Sequence, residues 1–292
     1  MIKPHRPLAA GMVADHYQEL DWIYREVWGE HVHHGLWRTG RETPLEAVEQ
    51  LTEFVAEQAG VRPGDRVCDI GSGYGASARY IARKFDAAVT ALTIVPAQQA
   101  FAEATNPTGN NPRYLLRDWL ENNLPGESFD AAYAIESTEH MDDKQRAFSE
   151  AFRVLRPGGR FAICAWIAAE DAKPWEKRNL LEPICREGRL PGMGTETEYR
   201  DMLTAAGFEV EAVTEISREV RDTWAICVRR AIGRFFTDPA GRAYLLSAAS
   251  RNRIFAVTLV RLWVAYRTGA MRYLVFRAHR AGTAKSHAAS TV

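Results

Sequence analysis

The nine residues Val67-Cys68-Asp69-Ile70-Gly71-Ser72-Gly73-Tyr74-Gly75 constrain this chain more than any other stretch. Apolar residues lead into glycines two apart, and helix-forming residues resume at Ala76. A strand, a tight turn and a helix in that order are the opening half of a βαβ unit. Gly71, Gly73 and Gly75 let backbone approach a ligand closely at the carboxyl end of a strand, where open α/β sheets bind small molecules.

The same alternation continues along the chain. Buried strands are predicted at Arg66–Ile70, Ala88–Thr93, Arg113–Arg117, Phe129–Ile135, Arg160–Trp166, Phe208–Ile216 and Met271–Arg280. Helices are predicted at Ala76–Phe85, Pro96–Ala104, Asp143–Leu155 and Thr197–Ala206, with a long helical stretch over about Val220–Thr268. Thr43-Pro44-Leu45-Glu46 reads as a helix start with a capping box, and Leu45, Val48, Leu51 and Val55 as its buried stripe. The expected fold is α/β and Rossmann-like: a mostly parallel sheet covered by helices on both faces. The expected organisation is an aromatic-rich, helical N-terminal lid over residues 1–43 and a ligand-binding domain over 44–280. That domain carries helical lid insertions at about 168–206 and 218–268, and 281–292 reads as a disordered tail.

Composition narrows the function classes. Lys+Arg and Asp+Glu stand at 37 each, so bulk charge gives no attraction to nucleic acid. The first residues hold no continuous apolar run of a secretion signal, and no stretch reaches the ~20 apolar residues of a membrane span. A cytoplasmic protein is expected. The four cysteines, Cys68, Cys164, Cys185 and Cys227, lack metal-ligand spacing and read as buried reduced thiols. His31, His33 and His34 have no matching cysteine or carboxylate cluster, so no metal is expected. Charge is nevertheless uneven. No Asp or Glu follows Asp238, and the apolar run Ile254–Tyr266 carries Arg261. It reads as a core helix with solvated arginines, with a peripheral membrane contact or an anionic-substrate site as alternatives.

Two ligands compete for the glycine turn. A dinucleotide wants G-x-G-x-x-G and places its pyrophosphate on the helix N-terminus. Here the pattern is G-x-G-x-G with Asp69 two residues before it. A carboxylate repels a pyrophosphate and suits an ammonium, which S-adenosylmethionine carries beside its sulfonium.

At this point the sequence resembles the class I S-adenosylmethionine-dependent methyltransferases. Ser128-Phe129-Asp130 before the fourth strand and Val154-Leu155-Arg156-Pro157-Gly158-Gly159 before the fifth extend the resemblance. Within that class, Trp28-Gly29-Glu30-His31-Val32-His33-His34-Gly35-Leu36-Trp37, Ile135-Glu136-Ser137-Thr138-Glu139-His140-Met141 and Pro174-Trp175-Glu176 resemble the gamma-tocopherol and sterol C-methyltransferase group. The resemblance implies a seven-stranded sheet and S-adenosylmethionine as donor, with S-adenosylhomocysteine as product. It also implies a small hydrophobic acceptor, C-methylation favoured.

The resemblance distributes roles over the residues. Tyr17, Asp69, Gly71, Gly73, Gly75 and Glu136 are expected on the cofactor side. Where many relatives end strand two with an acid, this chain has Thr93, and Thr93 and Gln98 offer neutral hydrogen bonds to the ribose. Asp118 matches the acid that binds the adenine, and Trp119 is expected to stack on it, with a surface Asp and a core Trp as alternatives. The N-terminal segment is expected to fold over the pocket, so His33, His34 and Trp37 line the acceptor chamber with Glu139, Trp166 and Trp175. Carbon methylation must lose a proton, and His140 and Glu170 are the expected bases, a plain loop carboxylate being the alternative for Glu170. Other readings are a prenyl diphosphate acceptor held by the arginine-rich last third, nitrogen methylation of an indole or amine, an NAD-dependent oxidoreductase, and a cofactor-binding protein without activity. The acceptor's identity and the oligomeric state are not legible.

Overall fold

The computed structural model describes residues 1–4, 29–106, 109–237 and 255–282. Helix α1 (Pro44–Gln58) starts as the sequence predicts: Thr43 caps it, Pro44 takes the first turn, and Glu46 closes the capping box. It is followed by β1 (Arg66–Ile70), α2 (Ala76–Phe85), β2 (Ala88–Thr93), α3 (Pro96–Ala104), β3 (Arg113–Leu116) and β4 (Phe129–Ile135). Then come α4 (Lys144–Val154) and β5 (Leu155–Ala168), short helical turns over 174–187, α5 (Glu196–Ala205) and β6 (Phe208–Glu215). The chain closes with α6 (Asp222–Thr237), α7 (Phe255–Thr268) and β7 (Met271–Arg280).

The strands form one seven-stranded sheet in the order β3-β2-β1-β4-β5-β7-β6. All pairs from β3 to β5 are parallel, whereas β7 runs antiparallel between β5 and β6. The strand order reverses direction between β1 and β4, and such a switch point opens a crevice at the carboxyl ends of the strands. Two cores flank the sheet. One gathers Leu51, Val55 and Ile81 under α1 and α2, and the other gathers Phe148, Phe161, Tyr199 and Phe276 beneath α4 and α5.

Several expectations need adjustment. Leu45 is 60% exposed, and Ala47, Thr52 and Ala56 join Leu51 and Val55 in the buried stripe of α1. The fifth strand begins earlier than predicted, at Leu155, because Phe129 pairs with Leu155 before the Pro157-Gly158-Gly159 turn bulges out and pairing resumes at Ala131–Arg160. The long helical stretch is two helices, α6 and α7, on either side of residues 238–254, which lie outside the described residues. The aromatic helix expected around Tyr17, and Tyr17 itself, also lie outside them, as does most of the tail after Gly282. Among the described residues no helix is long and apolar enough to cross a membrane. All four cysteines are buried and free.

The capping box gives a direct check on α1. Thr43→Ala removes the side-chain acceptor for the Glu46 N–H and is expected to lower stability by about 1 kcal/mol in urea unfolding. An unchanged midpoint would show that the cap contributes nothing.

Candidate active site

The glycine loop leaves β1 at the switch point. Gly73 has φ +54° and nothing within 4 Å of where a Cβ would stand, so open space lies over the loop. Gly75 has φ +76°, and a Cβ there would run into the Tyr114 ring. α2 starts directly from this glycine with no side-chain cap, which leaves its first N–H groups turned to the loop.

Asp69 is the central feature of this crevice. It is buried, and its neighbour in register on β4 is Tyr133. Burial pushes its carboxyl up to about 7, and the facing Tyr133 hydroxyl eases that shift without closing a hydrogen bond. Among the described residues, Asp69 Oδ2, Ser72 Oγ and the Tyr133 hydroxyl are buried without a partner. They line a cavity of about 40 Å³ together with Gly71, Gly73, His31, His33 and Ser77. Buried polar groups are ordinarily satisfied, so three orphans around one cavity mark a place for a polar ligand. An ammonium would satisfy Asp69 directly. The cavity shares Glu30, His31, His33 and Ala76 with a larger cleft of about 950 Å³ bounded by α1, α2 and α6.

A second buried cluster adjoins the loop across the switch point. Glu136, one residue past β4, is held at φ +51°. Its Oε1 accepts the His34 backbone N–H at 2.7 Å, the His34 Nδ1–H at 2.9 Å and the Tyr273 hydroxyl at 2.6 Å. Burial works against its charge, but His34, His33 and Tyr273 outweigh burial and hold the carboxyl below the usual range. His34 Nε2 lies 3.2 Å from the Tyr266 hydroxyl. The rings of Trp166, Trp224, Tyr266 and Tyr273 stand 4.9–6.0 Å from the His34 ring.

Glu139 is also fully buried. Burial, then the nearby Glu136 charge, pushes its carboxyl up to about 8, while its Oε1 accepts the Trp166 backbone N–H at 2.8 Å. It ties the turn after β4 to the end of β5. Buried Lys144 donates to the Glu139 and Met141 carbonyls, and burial pulls its amine down to about 8.

The structure therefore brings His34, Glu136, Glu139 and Trp166 together, and places His33 on the small cavity beside Asp69. Trp37 borders the large cleft and donates its indole N–H to Thr223 at 3.1 Å. Thr93 and Gln98 are buried and bond to each other at 2.8 Å. Five residues stand elsewhere than expected. Glu170 is exposed, accepts the Thr197 N–H at the start of α5, and is held below the usual carboxylate range by that bond, which makes it a poor base. Trp175 is 44% exposed on a helical turn away from both cavities. Trp119 faces inward, its indole N–H donating to the Ala147 carbonyl at 2.9 Å, so it packs in the core under α4. Asp118 is exposed and caps the turn that follows it. His140 ends the same short turn as Glu139 and, like His34, lines neither cavity. Sequence reasoning missed Tyr133, Trp224, Tyr266 and Tyr273. Tyr133 and Tyr273 lie within apolar strands and Trp224 and Tyr266 within apolar helix, where an aromatic residue gives no sign of facing a site.

An α/β sheet with a carboxylate-headed glycine loop at its switch point defines a protein of the small-molecule-binding, Rossmann-like class. Comparison with known proteins agrees. The methyltransferase domain family matches residues 68–163. A 27-O-demethylrifamycin SV methyltransferase from Amycolatopsis mediterranei (strain S699) is 32% identical over 241 residues, spanning 80% of this chain and 85% of that protein. The chloroplastic tocopherol O-methyltransferase of Arabidopsis thaliana is 27% identical over 282 residues, spanning 89% and 79%. In fold, a cyclopropane synthase from Mycobacterium tuberculosis matches with a TM-score of 0.80 at 18% identity, covering 94% of this chain and 99% of that one. The chain belongs to the class I S-adenosylmethionine-dependent methyltransferases. Its donor is S-adenosylmethionine, and its substrates are small molecules.

The state of Asp69 has a measurable consequence. Its carboxyl, raised from 3.8 to about 7 by burial, binds its proton more tightly folded than unfolded. Stability is full below the unfolded value and is lost as pH rises through the folded one. Asp69→Asn is therefore expected to stabilise the free protein at pH 8 by roughly 2–4 kcal/mol and far less at pH 4. It is also expected to weaken S-adenosylmethionine binding by more than about tenfold, through loss of a charge-assisted contact. Denaturant melts at the two pH values and calorimetric titration check both, and unchanged affinity overturns the assignment.

Proposed function

We propose that this methyltransferase acts on a small, uncharged, largely apolar acceptor, and that His34 is the base that removes the acceptor's proton. The observation that carries the reading is the His34–Glu136 pair inside its aromatic shell. With Nδ1–H committed to Glu136, Nε2 faces the Tyr266 hydroxyl at 3.2 Å; His34 is fully buried and lines neither cavity, so an acceptor would have to displace that hydroxyl to give Nε2 its proton. The cofactor supplies an electrophilic methyl group, so the protein need only align the acceptor, exclude water and remove one proton.

Carbon methylation fits this setting best. A ring or alkene carbon that gains a methyl becomes cationic until it loses its proton, and the surrounding aromatic rings offer π faces to that charge. Oxygen methylation is the second reading. It is favoured by the names of two relatives, a tocopherol O-methyltransferase and a 27-O-demethylrifamycin SV methyltransferase, and a hydroxyl proton would reach Nε2 equally well. A prenyl diphosphate is less well supported. Arg261 pairs with Glu187, Arg277 with Glu211 and Arg280 with Glu127, while Arg267 lies 4.3 Å over the Trp263 ring.

Turnover with a deuteriomethyl donor and a panel of prenylated phenols, indoles and prenyl diphosphates tests the reading. The methyl resonance of the product separates a C-methyl from a methoxy group. His34→Gln is expected to lower kcat by about 10²-fold or more, with S-adenosylhomocysteine affinity within about threefold of wild type. Undiminished turnover in that variant would remove His34 from the chemistry.

A further inference from the structure

Helices α6 and α7 pack against each other. Trp224, near the start of α6, and Tyr266, near the end of α7, both stand against the His34 ring. The two helices therefore run antiparallel and lead away from the site. Phe236 lies twelve residues beyond Trp224, about 18 Å along the helix. The inner faces are apolar and buried, with Trp224 and Cys227 on α6 and Leu262 and Tyr266 on α7.

Water meets apolar side chains on the outer faces as well. Of the nine large apolar side chains exposed among the described residues, four belong to these helices, and they fall on two stripes. Arg229, Ile232 and Phe236 follow one another at helical spacing on α6, and Val260, Trp263 and Arg267 do so on α7. Ile232 and Val260 are each 54% exposed and Phe236 72%. Each stripe ends in an arginine on the side nearer His34, and the Arg267 guanidinium lies over the Trp263 ring. A single exposed apolar side chain is ordinary, whereas a stripe on each of two neighbouring helices marks a contact surface.

Charge decides what covers this face. Over α6 and α7 the sequence holds five arginines, no lysine and one acid, Asp222, at the first position of α6. Arg261 alone among the described ones is neutralised, by Glu187. A second copy docked face to face would set arginines against arginines, which opposes a two-fold contact. Apolar side chains with a tryptophan and flanking arginines suit helices lying in the plane of an anionic bilayer. We propose that the outer faces of α6 and α7 dock on an anionic lipid surface. Ile232, Phe236, Val260 and Trp263 enter the boundary between headgroups and acyl chains, and Arg229 and Arg267 meet the phosphates. The same helices carry ring partners of His34, so the lipid contact and the site are joined by two rigid elements. The proposal is independent of the acceptor's identity and of the base.

Co-sedimentation of the full chain with vesicles of phosphatidylcholine alone, and of phosphatidylcholine mixed with phosphatidylglycerol, tests it. Binding to the mixed vesicles is expected to be at least about tenfold tighter and to weaken as salt is raised. Ile232→Ser together with Val260→Ser keeps the charge and is expected to lower binding by about tenfold or more. Arg229→Ala is expected to lower it by about fivefold. Calorimetric titration with S-adenosylhomocysteine reports that each variant is folded, and its affinity is expected to stay within about twofold of wild type. Equal binding to both vesicles, no binding, or anionic binding that the serine pair leaves intact overturns the proposal. So does a dimer in analytical ultracentrifugation that the serine pair disperses, because the face would then belong to a second copy. None of these readouts involves methyl transfer, so failure here leaves the role of His34 standing.

Discussion

Glu136 Oε1 is the point on which the active site hangs. Three donors meet on that one oxygen, two from His34 in the N-terminal segment and one from Tyr273 on the last strand. Residues 102 and 137 positions apart are thereby fixed to the end of the fourth strand. A charge buried without such partners would neutralise or destabilise the fold, whereas here three donors keep it ionised. The left-handed backbone at Glu136 is consistent with a residue whose surroundings determine its conformation, as functional positions often are.

The antiparallel seventh strand follows from the same need. A parallel strand would require a crossover and would end at the site, whereas β7 enters from that side, immediately after α7. Its first residues, Met271 to Tyr273, therefore sit beside Trp166–Ala168 at the carboxyl end of β5. Tyr273 reaches Glu136, and Tyr266, on the helix that delivers the strand, reaches His34. The last third of the chain thus closes around His34 and Glu136, which its arginine-rich composition did not announce.

Much of the fold was legible because periodicity and turn chemistry agree locally. β2, β4 and β7 occupy their predicted ranges, since each has a largely apolar centre bounded by turn or polar residues. The glycine loop was legible for the same reason. The roles of Trp119, Glu170 and Trp175 were not, because side-chain direction is decided by packing. Trp119 found a carbonyl on α4, and Glu170 found the open N–H at the start of α5. Neither partner is near in sequence, and a carboxylate beside an aspartate in a loop gives no sign of which helix it will cap. The setting of His34 was not legible either, because Glu136 and the four rings around it are all supplied by other elements.

Asp69 and Glu136 show how one fold uses a single side-chain chemistry in opposite ways. Both carboxyls are buried at the ends of adjacent strands, β1 and β4. Burial alone would raise both. Glu136 is lowered because the protein itself provides its donors. Asp69 stays raised because its Oδ2 has none among the described residues. The difference assigns them. A carboxylate satisfied by its own chain is a fixed charge that orients a histidine. One left unsatisfied holds free energy that a proton or an incoming cation releases. A donor carrying its own positive charge then needs no metal ligand set to hold it.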